Sequence, residues 1–457
     1  MVFLILKSHK FIINFKKFSK IYLIGTVFMK LTLLTGIAIF FCGVAFALSG
    51  SGTQDDPFFM YGVDIYNKDV SISESGYYKP AHRMNSLVAM EGGDYRFVIS
   101  GMQTGSFTNL GHSLFDSISL RIDSGNSNFG NLTEFMGSSA SHGASLVYAA
   151  NGSVSGTALF SNWASLSVVN GYNIENLGSI RFIDTDKTSA ENSFLIGLGS
   201  SVINKGAVEI QRGTLNLSGS FTNEGSLSLS TNSEVYLHSS AKFLSTVKRG
   251  LNIYNLYTES ASTLTQSSAE ILQINNYAHI EGRLETGGNL LLNDGEFILE
   301  GSIRIGGDIV LSNASVDFIG GDIKTFDDAL VGLILAEGTE NTIGYLGNNT
   351  AFASLELNGA DLTLDALSPF IVNGDIWGDG DYHLIINNFS EGRVYIGSLD
   401  EDFDLSRVIA LDEYGNDLGK IFYVNGYLSL VPEASTYALV LGIFSLSWIV
   451  CRRRKSR

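Results

Sequence analysis

The segment of this sequence best suited to bind an ion runs from residue 373 to residue 381, where Asp375, Asp379 and Asp381 alternate with glycine. Alternating Asp and Gly can surround a hard cation such as Ca²⁺ with carboxylate and carbonyl oxygens. The segment lacks the terminal bidentate glutamate of an EF-hand loop, and a Gly-rich turn between two strands explains the same pattern. Ca²⁺ at these three aspartates is therefore the only cofactor considered, and no other is predicted.

Catalytic signatures are missing from the sequence. No serine lies in a Gly-x-Ser-x-Gly elbow, and there is no phosphate-binding loop. The histidines lie singly, and no two of them have the spacing of metal ligands in one segment. Acidic residues cluster at Asp400, Glu401, Asp402 and Asp404, but the basic residues are scattered. No catalytic residue is predicted, and the chain is not expected to be an enzyme.

Charge is distributed unevenly along the 457 residues. Residues 1–47 and the last seven residues hold eleven of the 29 basic residues, so the remaining chain sets 18 basic residues against 46 acidic ones and has a net charge near −28. Such a surface repels nucleic acid and attracts divalent cations or basic partners. The acids could equally serve only to keep the chain soluble. Nucleic acid is therefore excluded as a partner.

The two cysteines, Cys42 and Cys451, both lie in apolar end segments. The body therefore has no disulfide framework and no thiolate metal site. Its stability must come from backbone pairing and packing.

Short alternating strands bounded by Gly, Asn and Ser dominate the body, and no proline interrupts it between Pro80 and Pro369. A unit of Asn-x-Gly-x-apolar-x-apolar recurs, which would turn the chain at Asn-Gly and then direct two apolar residues to one side of a strand. Its four copies begin at Asn176, Asn204, Asn223 and Asn293.

Intervals of this length match one turn of a β-solenoid, in which the apolar residues of successive turns form one interior column. We predict an all-β fold, a right-handed parallel β-solenoid (β-helix), with residues 48–430 forming roughly 15–19 turns. Residues 171–430 carry the clearest repeats, and residues 48–170 are an irregular β region that forms either the first turns or a cap. Packed β-sandwich domains remain the alternative, because their hairpins also place turns at regular intervals.

The N-terminus predicts export. Residues 1–47 form a signal peptide in which Lys30 precedes an apolar run over 31–44, and Ala45 and Ala47 provide a small-x-small cleavage site. Met29 stands directly before this unit. It is either the true start or part of an unusually long basic region.

The C-terminus, residues 431–457, has a short polar stretch, an apolar segment over 437–451 and a basic end over 452–457. The apolar segment predicts a single transmembrane helix in the inner membrane, and the basic end would stay in the cytoplasm. A plain tail anchor has the same three parts.

This order resembles the PEP-CTERM sorting signal of Gram-negative bacteria, although Ala434 stands where the family usually has its second proline. The matching positions are Pro432, Glu433, Ser435, Thr436, Tyr437, Ala438, Arg452, Arg453 and Arg454. The resemblance implies an exosortase-like membrane transpeptidase as partner, which would recognise the tail and process it. It implies a membrane-anchored precursor that reaches the cell surface or the extracellular space after processing.

The segment from Gly50 to Phe58, with Gly50, Gly52, Thr53 and Pro57, resembles the N-terminal segment of many secreted right-handed parallel β-helix proteins, and the body resembles autotransporter passenger regions. We therefore expect a cell-surface or extracellular-matrix structural or adhesion protein that binds extracellular polysaccharide or neighbouring molecules. The alternative is a secreted carbohydrate-active enzyme, a polysaccharide lyase or glycoside hydrolase, on the same scaffold.

Overall fold

A computed structural model describes the backbone of short strands between residues 58 and 104. It describes backbone and side chains for residues 107–109, 111–123, 126–183, 191–320, 322–347 and 350–431, together with Ile443 and Ser445. Within these residues the fold is all-β: a parallel β-solenoid of about 14 turns with almost no helix. This confirms the predicted solenoid over the β-sandwich, while right-handed coiling stays a prediction.

The first turns consist of short strands that pair in parallel with the turns that follow them. They are β1 (Phe58–Phe59), β2 (Val70–Ile72), β3 (Gly76–Lys79), β4 (Val88–Met90), β5 (Asp94–Val98) and β6 (Met102–Thr104).

The next turns each contribute three short strands. They are β7 (Phe107–Asn109), β8 (His112–Asp116), β9 (Ser119–Ile122), β10 (Ser127–Asn128), β11 (Leu132–Met136), β12 (Ser145–Tyr148), β13 (Gly152–Ser155), β14 (Thr157–Ser161), β15 (Ser165–Val168), β16 (Asn173–Asn176), β17 (Ser179–Phe182), β18 (Ser193–Ile196) and β19 (Ser201–Asn204).

In the middle turns two of the three strands merge into one long bent strand. The strands are β20 (Ala207–Leu217), β21 (Ser220–Asn223), β22 (Ser226–Leu237), β23 (Lys242–Ser245), β24 (Leu251–Thr258), β25 (Thr263–Gln266), β26 (Leu272–Ile280), β27 (Arg283–Thr286), β28 (Leu290–Leu299), β29 (Ser302–Ile305), β30 (Ile309–Phe318) and β31 (Asp322–Thr325).

The last turns are less regular and include a 3₁₀ turn at Leu405–Arg407. Their strands are β32 (Leu333–Leu335), β33 (Glu340–Leu346), β34 (Leu355–Glu356), β35 (Asp361–Asp365), β36 (Phe370–Trp377), β37 (Leu384–Asn387), β38 (Val394–Leu399), β39 (Val408–Ala410), β40 (Ile421–Val424) and β41 (Tyr427–Leu430).

These strands form two sheets that share one core. The narrow sheet has 13 strands, from β2 to β31, and the broad sheet has 28. Turn length varies: 28 residues separate the register partners Asn176 and Asn204, but only 19 separate Asn204 and Asn223. The connection between Phe182 and Ser193 accounts for part of this difference, and the chain makes about 14 turns where roughly 15–19 were predicted.

The last turn is capped by an antiparallel hairpin. Strands β40 and β41 pair through a turn at Asn425 and Gly426, both of which have positive φ, as expected for an Asn-Gly hairpin. The hairpin also meets β38, where Tyr427 pairs with Tyr395. It therefore occupies a strand edge that would otherwise offer unpaired backbone groups to another chain.

The core is built as columns of side chains, because buried residues alternate along most strands from β7 onward and successive turns are in register. One column stacks Phe115, Phe135, Phe160 and Phe182, whose ring centroids lie 4.9, 4.9 and 4.7 Å apart. All four rings are fully or almost fully buried. The column combines burial of apolar area with offset aromatic stacking.

A second column is polar and explains the asparagine of the repeat. Asn176, Asn204 and Asn223 end successive strands of the narrow sheet, and all three are buried. The Asn176 amide donates to the Asn204 side-chain oxygen at 2.8 Å, and the Asn204 amide donates to that of Asn223 at 2.7 Å. Each amide also donates to a backbone carbonyl of the next turn, Ala207 or Ser226. The buried amides are thus satisfied from turn to turn.

The glycine of the repeat lets the backbones of successive turns approach each other closely, because glycine has no Cβ. A Cβ on Gly206 would lie 2.0 Å from the carbonyl oxygen of Gly178, and one on Gly225 would lie 2.1 Å from that of Gly206. None of these glycines has positive φ. The first three copies therefore turn the chain without left-handed backbone at the glycine.

The fourth copy, at Asn293, lies elsewhere in the turn. It falls inside β28, where Asp294 takes a left-handed φ of 51° and bends the strand. Asn276 and Asn313 make the same bend in the turns on either side, with φ of 61° and 49°. The same residue pattern thus occupies two different corners of the solenoid.

The asparagine column yields a stability prediction. We expect Asn204→Ala to lower the free energy of unfolding by roughly 2–3 kcal/mol, because it removes the bonds that Asn204 donates and deprives the buried Asn176 amide of its side-chain acceptor. Urea denaturation followed by far-ultraviolet circular dichroism measures the change. Asn252→Ala, at an exposed position of β24, is the control. Equal shifts for both variants would contradict a stabilising asparagine column.

Candidate functional site

A cleft of about 740 Å³ opens near the C-terminal end of the solenoid. Two consecutive turns build it, one through the loop over 378–383 after β36 and the other through the segment over 400–407 after β38. Its lining residues are Trp377, Gly378, Asp379, Gly380, Tyr382, Asp400, Asp402, Asp404 and Arg407.

The cleft forms at the corner that the middle turns close with a single left-handed residue, Asn276, Asp294 or Asn313. In the last turns the strands on either side of this corner still pair in register, Leu384 with Val408 for example. The chain between them is longer, so it projects as loops. Loops on a rigid β scaffold are common places for binding residues.

Tyr382 anchors the two loops to each other. Its side chain is buried, and its ring stacks on Phe403 with centroids 5.6 Å apart. The Asp404 backbone N–H donates to the Tyr382 hydroxyl at 2.8 Å. Burial raises the pKa of Tyr382 above its ordinary value. The phenol is therefore neutral at physiological pH and acts as a fixed acceptor.

Arg407 crosses from the second loop to the first. Its guanidinium donates to the Gly380 carbonyl at 2.8 Å and to the Asp381 carboxylate at 3.1 Å. It also lies 4.9 Å above the Tyr382 ring, within range of a cation–π interaction. The guanidinium is thus committed to holding the loops together.

Asp404 begins the 3₁₀ turn and accepts a hydrogen bond from the Ser406 N–H at 2.9 Å. Hydrogen bonds from Ser406, with a smaller contribution from Arg407, lower the pKa of Asp404. A general acid for sugar cleavage needs the opposite displacement. Asp404 is therefore an anionic hydrogen-bond acceptor.

Asp379, Asp400 and Asp402 complete the acidic wall, and all three are exposed. Beside them the half-buried indole of Trp377 contributes an apolar surface at the end of β36. Carboxylates accept hydrogen bonds from hydroxyl groups or bind hard cations, and an indole offers a face for stacking.

The three aspartates considered for Ca²⁺ are spread over this region. Asp379 lines the cleft, Asp381 pairs with Arg407, and Asp375 accepts a hydrogen bond from the Ser398 hydroxyl. Within the described part of the chain they do not form a group of three with ligand atoms all within 4.8 Å. The structure instead brings Asp379 together with the acidic segment that begins at Asp400.

The sequence indicated both acidic segments but not their contact, nor the roles of Tyr382 and Arg407. The spacing of the two acidic segments along the chain could have indicated that they lie on adjacent turns. Asp379 and Asp402 are 23 residues apart, which is close to one turn of the solenoid.

The remaining predicted sites lie outside the described residues. They are the cleavage residues Ala45 and Ala47 and the sorting residues Pro432, Glu433, Ser435, Thr436, Tyr437, Arg452, Arg453 and Arg454. Apart from Ile443 and Ser445, the transmembrane helix predicted over 437–451 also falls there. In the part of the chain that is described, no helix has the length and apolarity needed to cross a membrane.

A separate charged group lies on the flank of the middle turns. His238 and Glu259 follow paired strands, and their side chains meet at 2.9 Å. The Ser239 N–H and hydroxyl also donate to Glu259, at 2.8 and 3.0 Å. These hydrogen bonds lower the pKa of Glu259 from 4.5 to about 2, and the bond with His238 makes the largest contribution.

This lowered pKa predicts a pH dependence of stability. The folded pKa lies below that of the unfolded chain, so the stabilisation is complete above about pH 5 and is lost as the pH falls toward 2. Glu259→Gln should lower the urea midpoint at pH 6, and the difference from the parent chain should vanish near pH 2. Glu296→Gln, at an exposed position of β28, is the matched control. A difference that persists unchanged to pH 2 would exclude the carboxylate as its source.

Comparison with known proteins adds no relative from which a function could be transferred. The chain matches no protein-family model, no curated protein and no solved structure. The function must therefore be inferred from the residues and their geometry.

Proposed function

We propose that this chain is an exported structural or adhesion protein of the cell surface or extracellular matrix. Its export depends on the signal peptide ending at Ala47, and its sorting on the PEP-CTERM-like tail from Pro432 to Arg457. An exosortase-like transpeptidase is the partner that this tail implies. Before processing, the apolar segment over 437–451 holds the body on the outer side of the inner membrane.

The observation that carries this proposal is the continuous parallel stack from β2 to β39, in which each described turn pairs with the next. Such a stack resists bending because each turn is hydrogen-bonded to its neighbours along the axis. It needs no disulfide and so suits the cysteine-free body. A stiff rod of this kind favours a role in spacing and presentation.

The cleft beside Trp377 favours extracellular polysaccharide as the ligand. Sugar rings offer apolar faces that stack on an indole, and their hydroxyls donate to carboxylates such as Asp379 and Asp402. Strongly anionic polymers would be repelled by this wall unless a cation such as Ca²⁺ intervened. A neutral polysaccharide is therefore the ligand class that the cleft favours.

A carbohydrate-active enzyme is the second candidate, favoured by carboxylates that share a cleft with Arg407. Two features speak for binding without turnover. The Arg407 guanidinium is occupied by Gly380 and Asp381, and the lowered pKa of Asp404 is unsuited to a general acid.

The cleft proposal predicts that Trp377→Ala weakens polysaccharide binding by on the order of tenfold or more, since a well-packed aromatic contact contributes about 1–2 kcal/mol. Glycan-array binding followed by titration with the selected neutral glycan measures the loss. Tyr414→Ala removes an aromatic side chain that is 80% exposed and outside the cleft, and it should bind like the parent chain. Equal binding by all three proteins would contradict the cleft as the binding site. Release of reducing ends from the glycan would favour the enzyme.

The sorting proposal predicts that deletion of Pro432–Arg457 changes the final location of the protein without unfolding its body. Cell fractionation and surface labelling measure the location, and protease resistance of the solenoid controls for folding. Mass spectrometry of both mature termini identifies any processing. If the truncated chain reached and stayed at its normal location, the tail would not be a sorting signal.

A further inference from the structure

A histidine and two glutamates converge on the flank of the solenoid, far in sequence from the acidic cleft. His279 is the second-last residue of β26, and Glu281 directly follows that strand. Glu300 follows β28 on the next turn, where Leu299 is the register partner of Ile280. Parallel pairing therefore places Glu300 beside Glu281, although 19 residues separate them in the sequence.

The potential ligand atoms face one another across the two turns. His279 Nε2 lies 3.3 Å from Glu300 Oε1 and 3.9 Å from Glu281 Oε1. One ligand atom from each of the three residues lies within 4.8 Å of the other two, an arrangement found for no other such group in the described residues. The side chains are 33%, 43% and 42% exposed, so solvent and ions reach them.

The electrostatics of this group are unbalanced. Two carboxylates are stacked on adjacent turns, where like charges repel each other. Across the described ranges, no lysine or arginine forms an ion pair with either glutamate, and His279 is the residue that contacts both. By contrast, other flank acids such as Glu209 and Glu285 are paired with arginine. A cation would remove this repulsion.

The ligand set selects the kind of cation. Ca²⁺ and Mg²⁺ prefer oxygen alone, whereas an imidazole with carboxylates suits Zn²⁺ and neighbouring transition metals. With Zn–N near 2.0–2.1 Å and Zn–O near 2.0–2.2 Å, ligand atoms of a tetrahedral site lie about 3.3 Å apart. The His279–Glu300 distance already has this value, whereas Glu281 Oε1, 3.9 Å from His279 Nε2, would have to move closer.

We propose that His279, Glu281 and Glu300 form a binding site for a divalent transition metal of the Zn²⁺ type, with solvent completing the coordination. The site spans two turns of the solenoid and joins them by a metal bridge. It is independent of the cleft and of the sorting tail.

The test uses the full chain, purified in mild detergent and freed of metal with a chelator. Calorimetric titration with ZnCl₂ in excess Ca²⁺ measures binding at sites that contain nitrogen, because Ca²⁺ occupies oxygen-only sites. We expect one Zn²⁺ per chain. His279→Ala and Glu300→Gln should each weaken binding by at least about tenfold, since even partners outside the coordination shell contribute that much. Co²⁺ in place of Zn²⁺ should give visible absorption bands that His279→Ala abolishes.

His383→Ala is the matched control, because His383 Nδ1 lies 3.0 Å from a single carboxylate, that of Asp361. It should bind Zn²⁺ like the parent chain. Absence of Zn²⁺ binding at millimolar concentration would mean that His279 and Glu300 are only a hydrogen-bonded pair. Unchanged binding by both His279→Ala and Glu300→Gln would place the metal elsewhere, and either result overturns the proposal.

Discussion

The structure depends on in-register hydrogen bonding between the backbones of successive turns. Strands in a sheet lie about 4.8 Å apart, so each side chain has a counterpart at that distance above and below it. Residues at equivalent positions of successive turns therefore stack into a column, and neighbouring side chains in a column must pack favourably against one another. Phenylalanine meets this condition by stacking, as in the column from Phe115 to Phe182, and asparagine meets it through the amide bonds from Asn176 to Asn223.

Columns on the outer faces follow the same rule with different chemistry. The rings of Tyr236 and Tyr257 lie 4.4 Å apart and only 4° from parallel, so each ring covers the facing side of the other. Acidic residues stack less favourably, since like charges oppose each other. Arg181 and Glu209 avoid this repulsion because residues of opposite charge on adjacent turns form an ion pair. Among the described residues no lysine or arginine pairs with Glu281 or Glu300, and this imbalance is the basis of the metal site proposed there.

The segments that connect strands at the corners of each turn can vary, and binding sites can form there. The pairing of strands leaves little room for change, but the chain between two strands can lengthen without disturbing the register on either side. In the middle turns a single residue such as Asp294 makes the corner. In the last turns the loops over 378–383 and 400–407 replace it, and their contacts through Tyr382 and Arg407 produce the acidic cleft. A uniform scaffold can thus carry one irregular, ligand-sized site near its end.

The sequence by itself determined that the body is all-β and favoured a solenoid over a β-sandwich, because proline is excluded and the Asn-x-Gly units alternate apolar residues at intervals of one turn. It did not determine which corner each unit occupies: the copy at Asn293 has the same residue pattern as that at Asn204 but lies at a different bend. Only the tertiary structure decided that Gly206 is needed for close approach, that Asp379 and Asp402 line one cleft, and that His279 meets Glu300. The physical reason is register. A local pattern specifies a strand and its inward face, whereas the neighbours of an outward side chain depend on the length of each turn, which here varies between 28 and 19 residues for adjacent turns.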